Sequence, residues 1–357
     1  MDGMKSAKPQ RTNVWFFVGH SIGVTLLGLH AVESAYFSLK PAERGKCYLV
    51  FNSVPNQTYR DLLTMYPHIE LVSLDNVWVL TKRYLQSFWV RNFVFHPLAF
   101  GQIHYIHAIL TWLIVVPRKE NRAVLFGEHT GWRRYVATQI VPKDLQQSIF
   151  RSMTHAVRVA GLSVTYRKPR LLFAYDVTKQ SVLHRPYVVV HPFAASSVRT
   201  LPRERWSDLL IFIATTFPAY QIVVSGGPVD RLEAKSLCTA HNKAIFIKEV
   251  SASFAETIQI IADAALYVGV DTGPTHLAAH LEVPMIVIGN NSNPCWLPTY
   301  AENVTILTHD EHCTCTGDKK GECFVYRDGT RYYRCMIEIP QETITQHISM
   351  ILRDKQH

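Results

Sequence analysis

Apolar and polar positions fall along the chain in blocks, and the blocks predict a repeated strand-then-helix order. Residues 14–18, Val-Trp-Phe-Phe-Val, form an unbroken apolar run that stops at Gly19, as a buried strand does. Residues 19–23 read as a loop, and a helical pattern occupies about residues 25–39. A strand over 47–51 and a helix over about 58–65 continue the series. The later half repeats it more cleanly. Strands are predicted over 187–190, 221–225, 244–247, 265–270 and 285–288, with helices over about 205–216, 231–241, 254–262 and 274–280. Strands alternating with helices predict an α/β fold class built on largely parallel sheets, doubly wound in the second half. Polar residues and Pro186 interrupt the pattern over 177–186. The expected organisation is therefore two Rossmann-like domains, residues 1–180 and 181–357, facing a central cleft.

Residues 77–118 fit this order poorly. They are rich in aromatics, among them Tyr84, Trp89, Phe93 and Trp112, with Lys82, Arg83 and Arg91 interspersed. Core packing accounts for most of that, and the remainder suits an element facing a membrane surface or an acceptor.

Size and charge narrow the choice of partner. The chain has 357 residues, 48% of them hydrophobic, which is long for a single core and suits two packed domains. Lys and Arg number 37 against 28 Asp and Glu, so an anionic partner is favoured. No zinc-finger, RRM or KH pattern accompanies the basic residues, which points away from nucleic acid and towards phosphate-bearing small molecules or lipids. Of seven cysteines, Cys47, Cys238 and Cys295 lie scattered, as in a reducing compartment. Lys5, Lys8 and Arg11 ahead of residues 14–32 imitate a signal peptide, but His20, Ser21 and His30 interrupt the apolar stretch and no A-x-A-like site follows. No bilayer-spanning segment is predicted.

The sharpest candidate chemistry lies at residues 265–276. An apolar strand runs into Asp271-Thr272-Gly273, and a helix opens at Pro274. Asp271 or Thr272 can cap that helix, Gly273 lets a ligand approach the backbone, and proline in the first turn removes no needed hydrogen bond. The N–H groups of the first turn and the positive end of the helix dipole then favour an anion such as a diphosphate, without a metal. The same spacing also suits an ordinary strand-to-helix turn, and His276 alone suits a packed histidine.

The run Tyr267-Val-Gly-Val-Asp271-Thr-Gly-Pro-Thr-His276-Leu-Ala-Ala, followed by Val283-Pro-Met-Ile-Val-Ile-Gly289 and Trp296-Leu-Pro298, resembles glycosyltransferase family 9, the ADP-heptose-dependent heptosyltransferases. His191-Pro-Phe-Ala-Ala-Ser-Ser-Val-Arg199-Thr-Leu-Pro202 with Trp206 is similar to another family segment, Arg199 standing where a lysine is expected. A guanidinium keeps the capacity to bind diphosphate oxygens. Ser225-Gly226-Gly227-Pro228 ahead of Glu233 is similar to the family's loop near base and ribose.

The resemblance implies a GT-B fold and an inverting transferase that moves a heptose from ADP-heptose to a lipopolysaccharide-core-type or related anionic glycan, with no cofactor required for catalysis. It assigns donor binding to Arg199, Ser225, Gly226, Gly227, Glu233, Asp271, Thr272, Gly273, Pro274 and His276. A nucleotide-diphosphate sugar and an anionic glycolipid or protein acceptor are the implied partners. The implied location is cytoplasmic, against the inner face of the inner membrane.

The opening loop departs from the family. Where the family carries Gly-Asp, the Asp acting as base, this chain has Gly23-Val24. Valine takes no proton, so another group serves or the transfer is lost. His20 is the candidate base, with Ser21 and Gly23 on the same loop near the acceptor. Two alternatives therefore stand beside the leading reading: transfer to protein hydroxyls, as in autotransporter glycosylation, and a nucleotide-sugar-binding protein without turnover.

Four late cysteines, Cys313, Cys315, Cys323 and Cys335, have the number a tetrahedral zinc or iron site needs. The autotransporter-modifying heptosyltransferases resemble the chain in this feature. Buried or locally paired thiols are the other reading, and in neither is the cluster catalytic.

Overall fold

The computed structural model describes residues 10–18, 22–51, 57–64, 66–96, 105–126, 135–141, 148–164, 183, 186–239, 244–247, 254–291, 294–309 and 323–355. The chain divides into two compact units, residues 1–167 and 168–357.

In the first unit the order is β1 (Thr12–Val18), α1 (Ile22–Ser38), β2 (Arg44–Phe51), α2 (Gln57–Thr64), β3 (Ile69–Ser73) and α3 (Val77–Gln86). It continues with β4 (Arg91–His96), α4 (Tyr105–Ile114), β5 (Arg122–Phe126), β6 (Gln139–Val141) and α5 (Ile149–Val159). The six strands pair in parallel in the order β3-β2-β1-β4-β5-β6. Strand β1 is central and buried at every position, which is why its sequence is apolar without alternation from Val14 to Val18. Its side chains serve opposite faces in turn. Trp15 and Phe17 join a core with Leu80 and Tyr84 of α3 and Ile114 of α4. On the other face Gly28 of α1 comes so close that an added Cβ would sit 2.9 Å from Val18. Trp15 stacks on Tyr48 at 3.9 Å and on Tyr84 at 4.5 Å, and its indole N–H donates to the Asn92 side chain at 3.0 Å.

Helix α1 begins three residues earlier than the sequence predicts, at Ile22 in place of 25. Positions 23–29 are all buried, so no polar face marks where the loop gives way to the helix. Gly23 and Val24 are therefore helical and buried, a correction to the loop expected over 19–23. His20 and Ser21 lie outside the described residues.

The second unit runs β7 (Tyr187–His191), α6 (Arg203–Thr216), β8 (Gln221–Val224), α7 (Arg231–Thr239), β9 (Ala244–Phe246), α8 (Phe254–Ala262), β10 (Leu266–Val270) and α9 (Gly273–His280). Then come β11 (Met285–Ile288), β12 (Val304–Leu307), a hairpin of β13 (Phe324–Arg327) and β14 (Thr330–Tyr333), α10 (Arg334–Ile337) and α11 (Gln341–Asp354). The larger sheet is again parallel, in the order β12-β11-β10-β7-β8-β9. Counted from its own first strand, this repeats the order of the first unit and of doubly wound nucleotide-binding sheets. Arg205 fastens the C-terminal helix: its guanidinium donates to the Ile337 carbonyl at 2.8 Å, the Ile339 carbonyl at 2.6 Å and Gln341 at 3.0 Å. Asp328 and Gly329 turn the hairpin with φ of 48° and 75°, the backbone that an Asp-Gly hairpin turn adopts. Among the described residues, no helix is long and apolar enough to cross a membrane.

Candidate functional site

Strand order reverses between β7 and β10, and at such a switch point two neighbouring loops leave the sheet in opposite directions and open a crevice. The registers bring the strand ends level. Gly269 pairs with His191 and Val190 pairs with Val224, so residues after 270, 191 and 224 emerge along one carboxyl edge. These are the three segments singled out in the sequence: Asp271 to His276, the turn ending at Arg199, and Ser225 to Gly227.

The loop after β10 is held from inside. Tyr267 lies across Gly269, where an added Cβ would come within 2.8 Å of the ring, and its hydroxyl meets the Thr275 hydroxyl at 3.1 Å. Thr275 in turn donates to the Val270 carbonyl. Thr272 takes the N-cap position of α9 with extended backbone, but its hydroxyl does not cap; it donates to the Val270 carbonyl at 3.3 Å. Gly273 is the first helical residue and Pro274 the second, in place of the expected proline start. No side chain caps this helix, so the N–H donors of its first turn stay available where Thr272, Gly273 and Pro274 are partly exposed.

His276 and Asp271 stand just behind. Nε2 of His276 is 3.6 Å from the Asp271 carboxylate and its Nδ1 is 2.9 Å from the Tyr300 hydroxyl. His280 Nδ1 lies 2.7 Å from the His276 carbonyl, which only accepts, so that nitrogen carries the hydrogen and the Tyr300 hydroxyl is left to donate to His276. His276 Nε2–H then points at Asp271. Burial, reinforced by the nearby Asp271 charge, holds the Tyr300 phenol well above its ordinary pKa.

The other two segments meet along β7. His191 is buried and its Nδ1–H donates to the Ser225 carbonyl at 2.9 Å; burial lowers its pKa to about 4, so the ring is a neutral tie. Gly226 presses on Phe193, a Cβ there falling 3.0 Å from the ring, and the Gly227 N–H donates to Asp230 at 2.7 Å. Glu233 is exposed in the first turn of α7. Arg199 ends a 3-10 turn, partly exposed, against which β14 packs, and among the described residues it has no ion pair.

Sequence reasoning missed Tyr300, Tyr267 and His191 as supports of this edge. Tyr300 is 24 positions from its partner and carries no local signal. Tyr267 ahead of Gly269 on a buried strand was the one readable hint.

The four-cysteine metal site is corrected. Cys323 is disulfide-bonded and so is no thiolate ligand, and Cys335 is a buried thiol in α10. Cys313 and Cys315 lie outside the described residues. Among the described residues, no group of three or more His, Cys, Asp and Glu could hold a metal ion.

Each unit is a doubly wound parallel α/β sheet, and two such units in one chain are the composition of a GT-B fold. The family model described as glycosyltransferase family 9 (heptosyltransferase) matches residues 135–324, more than half of the chain, and the chain belongs to that family. Lipopolysaccharide heptosyltransferase 1 of Salmonella typhimurium (strain LT2) is 25% identical over 146 residues, which cover 40% of this chain and 45% of that protein. The structure of the E. coli ADP-heptose lipopolysaccharide heptosyltransferase II superposes with a TM-score of 0.68 at 13% identity, covering 97% of this chain and 100% of that one. The dodecameric iron-containing heptosyltransferase TibC, in complex with ADP-D-β-D-heptose, gives a TM-score of 0.57 at 14% identity over 97% of this chain and 77% of that one.

Proposed function

We propose that the protein transfers a heptose from ADP-heptose, with inversion, to a lipopolysaccharide-core-type or related anionic glycan at the cytoplasmic face of the inner membrane. The observation that carries the reading is the uncapped start of α9 at the switch point, with the segments that follow β7 and β8 leaving the same carboxyl edge of the sheet. The diphosphate lies against the N–H groups of Gly273 and Thr275, where the helix dipole stabilises charge on the departing ADP. Arg199 adds a fixed positive charge with two donors on one face. Adjacent strands are roughly 4.8 Å apart, so the ends of β10 and β8 are separated by roughly 10 Å, leaving room for a nucleotide laid along the edge with its ribose and base near Ser225, Gly226, Gly227 and Glu233. Asp271 orients sugar hydroxyls while His276 and Tyr300 hold its carboxylate in place. Val24 takes no proton, and His20 is assigned the role of base that deprotonates the acceptor hydroxyl, with Ser21 beside it.

A thermal-shift screen of ADP-heptose against UDP-, GDP- and CMP-sugars tests the donor, and mass spectrometry of product with a truncated core glycolipid tests the transfer. Stabilisation by ADP-heptose alone, with release of ADP, is the expected result. Equal response to all four nucleotides would sink the donor assignment.

Val24 favours a second reading, a nucleotide-sugar-binding protein without turnover. Donor binding with no ADP released in the presence of either glycolipid or protein acceptors is the outcome that selects it.

A further inference from the structure

Helices α3 and α4 pack against each other on one face of the first sheet, joined by the Tyr84 and Thr111 hydroxyls at 3.1 Å. Their inner sides are accounted for: Leu80, Tyr84 and Ile114 are buried in the core with Trp15, and Leu110 packs against it. Their outer sides carry large apolar side chains as well as polar ones. Trp78 is 86% exposed and Leu85 60%, seven positions apart on the same side of α3, and Trp89 just beyond its end is 82% exposed. On α4, Ile109, Trp112 and Leu113 are each more than half exposed. A helix pair covering a sheet ordinarily turns charged residues outward, so six large apolar side chains on this layer mark a contact surface.

The charge around the patch says what kind of contact. Residues 75–122 carry Lys82, Arg83, Arg91, Arg118, Lys119 and Arg122 against Asp75 and Glu120. Two of the cations are engaged within the unit, Arg83 with Glu70 and Arg91 with Glu43. Lys82 stands exposed between Trp78 and Leu85, and Lys119 is exposed beyond α4. The Arg118 guanidinium lies 4.0 Å over the Phe88 ring and 5.9 Å from Trp89, binding the end of α4 to the aromatic corner after α3. Indole rings at the surface beside basic side chains match the border of an anionic bilayer, where the ring sits at headgroup depth and the ammonium meets phosphate.

We propose that the outer face of α3 and α4, with the Phe88-Trp89 corner, docks the protein on an anionic lipid surface. This deepens the glycolipid-acceptor reading but rests on separate observations, and its test does not require transfer. The full chain is floated with vesicles of phosphatidylcholine alone and of phosphatidylcholine with phosphatidylglycerol. Binding to the anionic vesicles only is expected, with a blue shift of tryptophan fluorescence. Lys82→Glu with Lys119→Glu should weaken that binding about tenfold or more. Trp78→Ser, Trp89→Ser and Trp112→Ser together should remove the shift while the thermal response to ADP is kept, which separates lost docking from lost folding. Equal vesicle binding by wild type and both variants overturns the proposal. So does a dimer in sedimentation that the tryptophan variant dissociates without any vesicle binding, since the face is then a contact between copies. A chain that responds to ADP but ignores anionic vesicles overturns the docking alone and leaves the transferase reading standing.

Discussion

Asp271 and His276 face each other across the first turn of α9, carboxylate to Nε2 at 3.6 Å, with the Tyr300 hydroxyl on the far side of the imidazole at 2.9 Å. The distance to the carboxylate is long for a hydrogen bond, so the contact orients more than it binds. Tyr300 secures the ring, and the ring faces the Asp271 carboxylate. Tyr300→Phe deletes that donor and should lower the unfolding free energy by about 1 kcal/mol in urea titrations. It should also weaken ADP-heptose binding by calorimetry, because Asp271 loses its backing. Unchanged donor affinity would separate this trio from the ligand.

Arg199→Ala and Thr272→Ala probe the edge itself. Neither side chain is buried in a core, so both variants should melt within a few degrees of wild type. Removing the guanidinium should cost about 1.5–3 kcal/mol of donor affinity, the range of a hydrogen bond to a charged group, and removing the hydroxyl about 1 kcal/mol. Wild-type affinity in both variants would remove the proposed donor site.

Gly269→Ala tests how the loop is held. The new methyl would meet the Tyr267 ring at 2.8 Å, and the ring, closed in by the core and bonded to Thr275, has little freedom to move. A loss of about 1–3 kcal/mol in urea is expected. A near-neutral result would show that the tyrosine yields.

His191 sets a pH dependence. Burial lowers its pKa to about 4 in the folded chain, and unfolding returns it to the ordinary value of about 6.5. Below about 6.5 the unfolded chain takes up a proton that the folded chain refuses, so this contribution is complete above that pH and is lost as pH falls towards 4. By pH 5 the loss should reach about 2 kcal/mol, an upper bound. His30, also lowered to about 4 by burial, adds loss of the same sign. His191→Asn keeps a donor for the Ser225 carbonyl without the titration. Its stability should fall less than that of wild type between pH 7.5 and pH 5. Parallel curves would assign the acid sensitivity elsewhere.

His20→Ala bears on the transfer and not on the fold. Product formation should disappear while the thermal response to ADP-heptose stays, and undiminished transfer would clear His20 of the role of base.

What the sequence alone determined is local and periodic. The buried strands at 14–18, 187–190 and 265–270 read as such because a parallel strand covered on both faces must be apolar at every position. The strand-to-helix turn at Asp271-Thr272-Gly273-Pro274 was legible for the same kind of reason, since glycines and prolines act over a few residues. The start of α1 was not, because residues 23–29 are all buried and show no polar stripe to mark its first turn. Only the tertiary structure decided which loops share an edge. The 3-2-1-4-5-6 order of the second sheet makes the segments after residues 191, 224 and 270 leave one carboxyl edge, and it depends on pairings between strands far apart in the chain. It also decided that His276 is backed by Tyr300, that Cys323 is no thiolate ligand, and that Trp78, Trp89 and Trp112 face outward. An aromatic residue has the same hydrophobicity in a core as on a docking surface, so only its neighbours can say which it occupies.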